Sequence, residues 1–179
     1  GQRKVEVLKS RFHEINPHTV VTALPQTYTA ESSSSFALAQ YDYVIDAIDS
    51  LSHKAHLLFT ASQTPATVFS SMGAALKIDP QQIRVAEFWK VRGCKLASAL
   101  RARMRHEYKP LKPIQCVYSE ERLPNRGMEA LADANEHGSF RKAQTNGTMV
   151  QVTAVFGFTL SGLVIQDILR QKTTQKSGR

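Results

Sequence analysis

Apolar positions along the chain follow two spacings, one typical of helices and one typical of buried strands. Apolar residues three or four apart predict helices, and these fall at 5–15, 51–63, 96–108 and 148–170, with a short helix around 36–40. Compact apolar runs rich in β-branched residues predict strands, and these fall at 19–24, 43–47, 66–71, 83–89 and 114–119. Strands and helices therefore alternate, which predicts an α/β fold with a mostly parallel sheet flanked by helices.

The chain has 179 residues, of which 42% are hydrophobic, so it can bury one sizeable core but is short for two domains. We expect an α/β body at 1–119, a long loop at 120–147 with one helical turn at 128–135, a C-terminal helix at 148–171 and a basic tail at 172–179. Polar residues interrupt the apolar stretch at 150–169, and no segment resembles a signal peptide. We therefore expect a soluble, cytoplasmic protein without a membrane span.

Positive charge is concentrated in one region of a chain whose net charge is +8. Residues 88–118 contain eight lysines and arginines and a single acidic residue, Glu107. Such a cluster is typical both of a solvated helix face and of a surface that binds nucleic-acid phosphates, and charge alone does not separate the two. The candidate phosphate contacts are Lys90, Arg92, Lys95, Arg101, Arg103 and Arg105.

The chain has two cysteines, Cys94 and Cys116, and neither belongs to a CxxC pair. This excludes a disulfide framework and the usual structural zinc site, and it fits a reducing compartment. Cys116 is a candidate for a thiol role. Its apolar neighbours Ile114 and Val117 favour the alternative that it packs as a small hydrophobic side chain.

Two aspartates, Asp46 and Asp49, follow the apolar run at 43–47. In a parallel α/β sheet, ligands bind outside the carboxyl ends of the strands, which is where these residues should lie. Asp46 should close the strand in a structural role. Asp49 stands just before the predicted helix at 51–63, where it could bind a hard cation or cap the helix N-terminus, and spacing alone favours the cap.

Several motifs together resemble the adenylating family that includes the ubiquitin-activating enzymes and the molybdopterin- and thiamine-pathway adenylyltransferases. These motifs are GQRKVEV at 1–7, INPH at 15–18, YVIDAIDS at 43–50, IDPQQIRV at 78–85 and QCVYSEE at 115–121. The text of the last three is most similar to the branch of tRNA threonylcarbamoyladenosine dehydratases. The resemblance covers nearly the whole chain and implies a Rossmann-like fold, with 1–119 as the C-terminal part of an adenylation domain.

The resemblance also implies a chemistry. Members of the family bind ATP with Mg²⁺ and convert a carboxylate into an acyl-adenylate. Lys4 matches the family lysine that contacts the triphosphate, and Asp49 matches the aspartate that holds Mg²⁺. In the dehydratase branch the activated group is the threonyl carboxylate of a modified adenosine in tRNA, which then cyclises, and the basic residues at 90–105 would contact that tRNA.

Departures from the family pattern lead to further expectations. The glycine-rich phosphate loop of the family lies upstream of its lysine, whereas here Lys4 is the fourth residue. By resemblance the fold is truncated at the N-terminus, so we expect this polypeptide alone to bind ATP weakly and to be inactive. We also expect it to form a homodimer or to associate with the missing N-terminal segment, because an incomplete sheet exposes an edge.

Two other functions stay open at this point. The alternative enzyme is an adenylyltransferase that activates a ubiquitin-like sulfur-carrier protein, and the other is a non-catalytic scaffold. Residues 120–147 contain no cysteine, which disfavours thioester transfer. A sulfur-transfer protein is a further candidate partner. Some members of the branch carry a cysteine just before the C-terminal helix, whereas residues 142–147 of this chain, at that place, contain none.

Overall fold

The computed structural model describes residues 1–125, 129–130, 143–144 and 146–177, with side chains at 1–125 and 146–174. Its helices are α1 (Lys4–Ile15), α2 (Leu51–Ser62), α3 (Lys95–Met104) and α4 (Val150–Ser177). Its strands are β1 (Tyr43–Asp46), β2 (Thr67–Ser71), β3 (Ile83–Glu87), β4 (Gln115–Ser119), β5 (Glu129–Ala130) and β6 (Ala143–Gln144). Short 3₁₀ helices lie at Ser33–Phe36, Leu38–Gln40, Pro80–Gln82 and Phe88–Lys90.

The main sheet has four strands in the order β1-β2-β4-β3. β1, β2 and β4 are parallel, with Val44 opposite Val68 and Ser70 opposite Cys116. β3 runs antiparallel to β4 at the edge. The prediction of a mostly parallel sheet with flanking helices is confirmed, and the parallel strands place their carboxyl ends along one edge of the sheet.

Helices cover both faces of the sheet, as parallel strands require. On one face, α2 and α3 form the larger core, in which Leu58, Leu100 and Phe88 are fully buried. On the other face, α4 packs Val152 and Phe156 against the strands β2 and β4. The helices predicted at 51–63, 96–108 and 148–170 are therefore confirmed as the covering layers of the sheet.

α4 is longer than the C-terminal helix expected from the sequence, because it continues through the first residues of the expected basic tail to Ser177. Its segment Val150–Thr174 is long and apolar enough to cross a membrane by length and composition. The most apolar 18 residues of the segment have a mean hydropathy of 1.7, and 17% of them are buried. This is the apolar stretch at 150–169 whose polar residues predict that it does not span a membrane, and that expectation stays a prediction. Val152, Phe156 and Leu160 of the same helix are buried against the sheet.

The first part of the chain differs most from expectation. α1 forms where the apolar spacing predicts it, but none of its residues is buried. The strand predicted at 19–24 is wrong: the segment forms no strand in the described structure, and Val20 is 93% exposed. β-branched residues favour a strand only where a neighbouring strand and a core accept them. The helical turn predicted at 128–135 lies outside the described residues, apart from 129–130 in β5.

Candidate functional site

A cavity of about 760 Å³ opens at the carboxyl ends of β1, β2 and β4. Its lining comes from the segments that follow these strands, from the start of α3 and from the residues before α4, namely 47–49, 71–77, 93–96, 121–123, Asn146 and Thr148. This position is the one at which parallel α/β sheets bind ligands, and the volume is in the range of small-molecule sites. The cavity is therefore the candidate functional site.

One side of the cavity, which we call the β1 wall, is the turn at 47–50 between β1 and α2. Behind it lies a fully buried ion pair between Lys54 and Asp46, with 2.5 Å between Lys54 Nζ and Asp46 Oδ2. The Ser70 hydroxyl donates to the same carboxylate oxygen at 2.5 Å, and the Ile48 amide donates to Asp46 Oδ1 at 3.0 Å. Both carboxylate oxygens thus hold a neighbouring element, and the structural role expected for Asp46 agrees with these contacts.

The Lys54 ammonium also binds two backbone carbonyls from different elements. It donates to Ile48 O at 3.0 Å and to Ser71 O at 2.7 Å. The lysine therefore ties the turn after β1 to the end of β2. The sequence predicts the helix at 51–63, and we assigned no role there to Lys54. Its position in the apolar stripe with Leu51, Ala55 and Leu58 was nevertheless a signal that it is buried.

The opposite side, the β4 wall, consists of residues 119–123. Lys77, which is 5% exposed, donates to Ser119 O at 2.9 Å and to Glu121 O at 2.7 Å. The Glu121 carboxylate accepts the amides of Ile78 and Asp79 at 2.7 and 3.1 Å. Burial lowers the pKa of Lys77, partly offset by nearby acidic groups. A second buried lysine thus fixes the second wall, and sequence reasoning missed it as well.

Asp49 lies at the cavity surface and is exposed. The cap alternative does not describe it, because the N-cap of α2 is Ser50, whose side chain makes no capping hydrogen bond. Among the described residues, no group of three or more His, Cys, Asp or Glu side chains could hold a metal ion by itself. A single open carboxylate does suit Mg²⁺ that is shared with phosphates and water, since this ion commonly takes one or two carboxylates and completes its shell from the substrate.

The structure does not bring Lys4 to this site. Lys4 begins α1, is exposed, and is not among the residues that line the cavity. Arg122, which sequence reasoning did not single out, does line the cavity and is exposed. Leu76, also on the lining, has a φ of 58° and donates its amide to Gly147 O at 3.0 Å. This bond joins the cavity to the segment before α4.

The six candidate phosphate contacts divide into two groups. Arg101 donates to Phe88 O at 3.4 Å, and Arg103 donates to Ser52 Oγ at 2.9 Å while pairing with Glu107 at 3.3 Å. These two arginines therefore contribute to contacts within the protein. The side chains of the second group are exposed, and one of them, Lys95, lines the cavity. This group consists of Lys90, Arg92, Lys95 and Arg105.

Cys116 is fully buried in the centre of the sheet. Burial strongly raises the pKa of its thiol, because a thiolate would have to form away from water. Its Sγ lies 3.7 Å from Ile114 O. A buried, protonated thiol is not an accessible nucleophile, so the structure favours the packing role over the thiol role.

Comparison with known proteins places these features in a family. The model of the ThiF family matches residues 1–179. The tRNA threonylcarbamoyladenosine dehydratase of Bacillus subtilis strain 168 is 33% identical over 172 residues, which are 95% of this chain and 67% of the relative. The enzyme of the same name from Escherichia coli K12 is 30% identical over 186 residues, covering 98% of this chain and 69% of the relative.

A solved structure is similar over the same extent. The crystal structure of the Escherichia coli tRNA N6-threonylcarbamoyladenosine dehydratase in complex with ATP superposes with a TM-score of 0.81 at 29% identity, covering 96% of this chain and 66% of that one. The complex of that enzyme with AMP gives a TM-score of 0.78 at 27% identity, covering 96% and 66% of the two chains. The chain thus spans about two thirds of the length of these relatives.

Proposed function

The chain belongs to the ThiF family, and from this premise we propose that it acts as an ATP-dependent tRNA threonylcarbamoyladenosine dehydratase. The observation that carries the proposal is the coincidence of two facts. Relatives of that name match almost the whole chain, and the cavity lies at the strand ends with Asp49 on its surface. The dehydratase is preferred to an activator of a sulfur-carrier protein because the relatives from Bacillus subtilis and Escherichia coli have the dehydratase name.

The reaction needs a leaving group, since a carboxylate does not lose oxide in water. The threonyl carboxylate attacks the α-phosphorus of ATP, forms an oxygen–phosphorus bond and releases pyrophosphate. An atom of the carbamoyl group then attacks the activated carbonyl carbon and closes the ring, while the bond from that carbon to the AMP oxygen breaks. The carbamoyl group loses one proton, and AMP is the leaving group. A concave site holds these groups in place and limits competing hydrolysis of the mixed anhydride.

We assign the Mg²⁺ role to Asp49. The cation, when bound, offsets negative charge on the phosphates of ATP. Asp49 would hold it with an exposed carboxylate at the cavity surface. The role proposed for Lys4 is contact with the triphosphate, although Lys4 does not line this cavity. Lys95 and Arg122 on the lining add positive charge that favours phosphates or the substrate carboxylate.

The tRNA would contact the exposed cations near α3. Lys90, Arg92, Lys95 and Arg105 are available for phosphates, whereas Arg101 and Arg103 are partly engaged within the protein. Binding through these residues should weaken steeply with salt, because each neutralised phosphate releases counterions.

Replacing Arg92 and Arg105 with Gln should make tRNA binding depend less steeply on salt concentration. The same replacement of Arg3 and Arg11 serves as the control.

We further propose that the protein is a cytoplasmic homodimer. The support is an exposed apolar surface on α4, where Phe158, Ile165 and Leu169 are 74%, 57% and 59% exposed. Contact with a second copy would remove this surface from water. Sedimentation equilibrium measures the oligomeric state, and fractionation of the cell separates a soluble dimer from a protein that uses α4 in a membrane.

A direct assay tests the function. The full-length protein is incubated with ATP, Mg²⁺ and tRNA that carries threonylcarbamoyladenosine, and the digested nucleosides are analysed by mass spectrometry. We expect loss of one water mass from the modified nucleoside, with release of AMP and pyrophosphate. A parallel reaction with a ubiquitin-like carrier protein should give no carrier adenylate. The opposite pattern would replace the dehydratase by the carrier activator.

A further inference from the structure

We propose that Lys54 is a positioning residue of this reaction, which sets the direction of Asp49 without touching ATP or tRNA. The inference rests on the proposed function, because it concerns the same cavity. Lys54 is fully buried and does not line the cavity. Its contacts nevertheless end on the β1 wall, one residue before Asp49.

The ammonium group of Lys54 is completely used. A lysine has three N–H donors, and the structure gives it Asp46 Oδ2, Ile48 O and Ser71 O as acceptors. An apolar side chain of similar length would leave both carbonyls without this donor. The ammonium therefore joins the turn after β1 to the end of β2 at a single point.

The residue before Asp49 is held at both of its backbone polar groups. The Ile48 amide donates to Asp46 Oδ1, and the Ile48 carbonyl accepts from Lys54. The Ile48 carbonyl and the Asp49 amide belong to the same planar peptide group. The orientation of that carbonyl therefore sets the orientation of the backbone at Asp49. The Lys54–Asp46 pair therefore holds Ile48 through both its amide and its carbonyl. Asp49 is the next residue along this fixed backbone.

Stability alone is a poor reason for this arrangement. A buried ion pair often contributes no more to stability than apolar residues of the same volume would. Groups behind a metal-binding residue, in contrast, commonly set the affinity for the ion by orienting that residue. The Lys54 network lies directly behind the exposed carboxylate of the β1 wall. This location matches a role in orienting a metal-binding residue.

The test uses a variant that removes the ammonium without leaving a buried charge. In Lys54→Met combined with Asp46→Asn, the new amide side chain keeps an oxygen acceptor for Ser70 or Ile48, whereas both carbonyls lose the lysine. Lys54→Met alone is the more damaging variant, and Leu58→Ala, which makes a cavity beside the same helix, controls for lost stability. The first measurement is hydrogen exchange at residues 47–50, which needs no nucleotide.

We expect faster exchange at 47–50 in the double variant but not in Leu58→Ala. In the full-length protein, we also expect the Mg²⁺ concentration for half-maximal ATP binding, read by calorimetry, to rise about tenfold, within the range seen when a group behind a metal site is removed. In the background of Asp49→Ala, the double variant should add no further rise, because the effect passes through Asp49. The substrate-saturated rate should fall less than the Mg²⁺ affinity.

The outcomes separate positioning from stability and from the function itself. Unchanged exchange at 47–50, or a Mg²⁺ shift that persists without Asp49, would overturn the positioning role. A shift of equal size in Leu58→Ala would overturn it too, by assigning the effect to stability. If the full-length wild-type protein neither binds ATP nor forms the cyclic nucleoside, the proposed function fails, and the exchange measurement still decides whether Lys54 fixes the turn.

Discussion

The β1 wall and the β4 wall of the cavity are both held by a buried lysine, but the charge of that lysine is balanced differently. Lys54 contacts a carboxylate, that of Asp46, as well as two carbonyls. Lys77 donates to two carbonyls, while the nearby Glu121 carboxylate accepts the Ile78 and Asp79 amides. One wall is fixed by an ion pair, the other by hydrogen bonds to neutral groups.

This difference predicts unequal sensitivity to mutation. Removal of Lys54 leaves a charged carboxylate in the core, where an unpaired ion is very unfavourable. Removal of Lys77 leaves neutral carbonyls without donors, which costs less. Intact, the β1 wall should therefore be the more rigid of the two, and loss of its lysine should disrupt it more. A rigid wall suits the residue proposed to bind Mg²⁺.

The largest expected effect is that of Lys54→Met on stability. Breaking a buried pair by removing one partner costs about 3–5 kcal/mol, and the free energy of unfolding from urea titration measures it. Adding Asp46→Asn to this variant should restore a large part of the loss. A loss below about 1 kcal/mol for Lys54→Met would mean that the pair is not buried as the structure has it.

The second effect concerns activity at the β1 wall. Asp49→Ala should lower the rate of cyclic nucleoside formation by about 10²-fold or more, because the charge on the phosphates is then poorly offset. Its stability should stay near that of the wild type, since the carboxylate is exposed. Asp42→Ala, at the opposite end of β1, is the matched control. Equal rates of cyclic nucleoside formation for both variants would contradict the Mg²⁺ role of Asp49.

The third effect probes the β4 wall. Lys77→Met should cost about 1–3 kcal/mol, the penalty for unsatisfied buried polar groups. This loss should be smaller than that for Lys54→Met in the same urea titration. If Lys77→Met is the more damaging variant, the ion pair is not what distinguishes the walls.

A fourth effect reports the close approach of the segment before α3 to the β4 wall. Gly93 has a φ of 70°, and a Cβ there would lie 2.6 Å from the Glu120 Cα. Gly93→Ala should therefore cost about 1–3 kcal/mol through backbone strain. Gly73→Ala is the control on the same cavity, because its Cβ would meet its nearest side-chain atom at 3.5 Å. Similar melting temperatures for the two variants would contradict this packing.

The smallest effect is a pH dependence that belongs to the β4 wall. Because burial lowers the pKa of Lys77, the unfolded chain binds more protons than the folded one between the lowered pKa and about 10.4. Wild-type stability should therefore rise with pH in that window relative to Lys77→Met. Comparing the two proteins cancels other titrating groups. A difference that is constant or falls as pH rises would contradict the sign.

Much of the fold was predictable from the sequence, and the reason is visible in particular strands. β2 and β4 are covered by helices on both faces, so their sequences are short apolar runs that stand out. The segment at 19–24 has the same residue types but no strand partner among the described residues, and local propensity could not show that. The position of Asp49 at a strand end was predictable, and the apolar stripe of α2 indicated that Lys54 is buried. The role of Lys77 was not predictable, because its acceptors on Ser119 and Glu121 lie 42 and 44 residues away in sequence.

The strand order also constrains how the protein is made. β3 pairs with β4 on the sheet, and β4 lies between β2 and β3 although it comes last of the four along the chain. In a growing polypeptide that ends before β4, one edge of β2 is therefore unpaired, and β3 has no partner strand. Such non-local pairing slows folding and prolongs the exposure of strand edges. During synthesis, chaperone binding should peak after β3 has emerged and decline once β4 is complete.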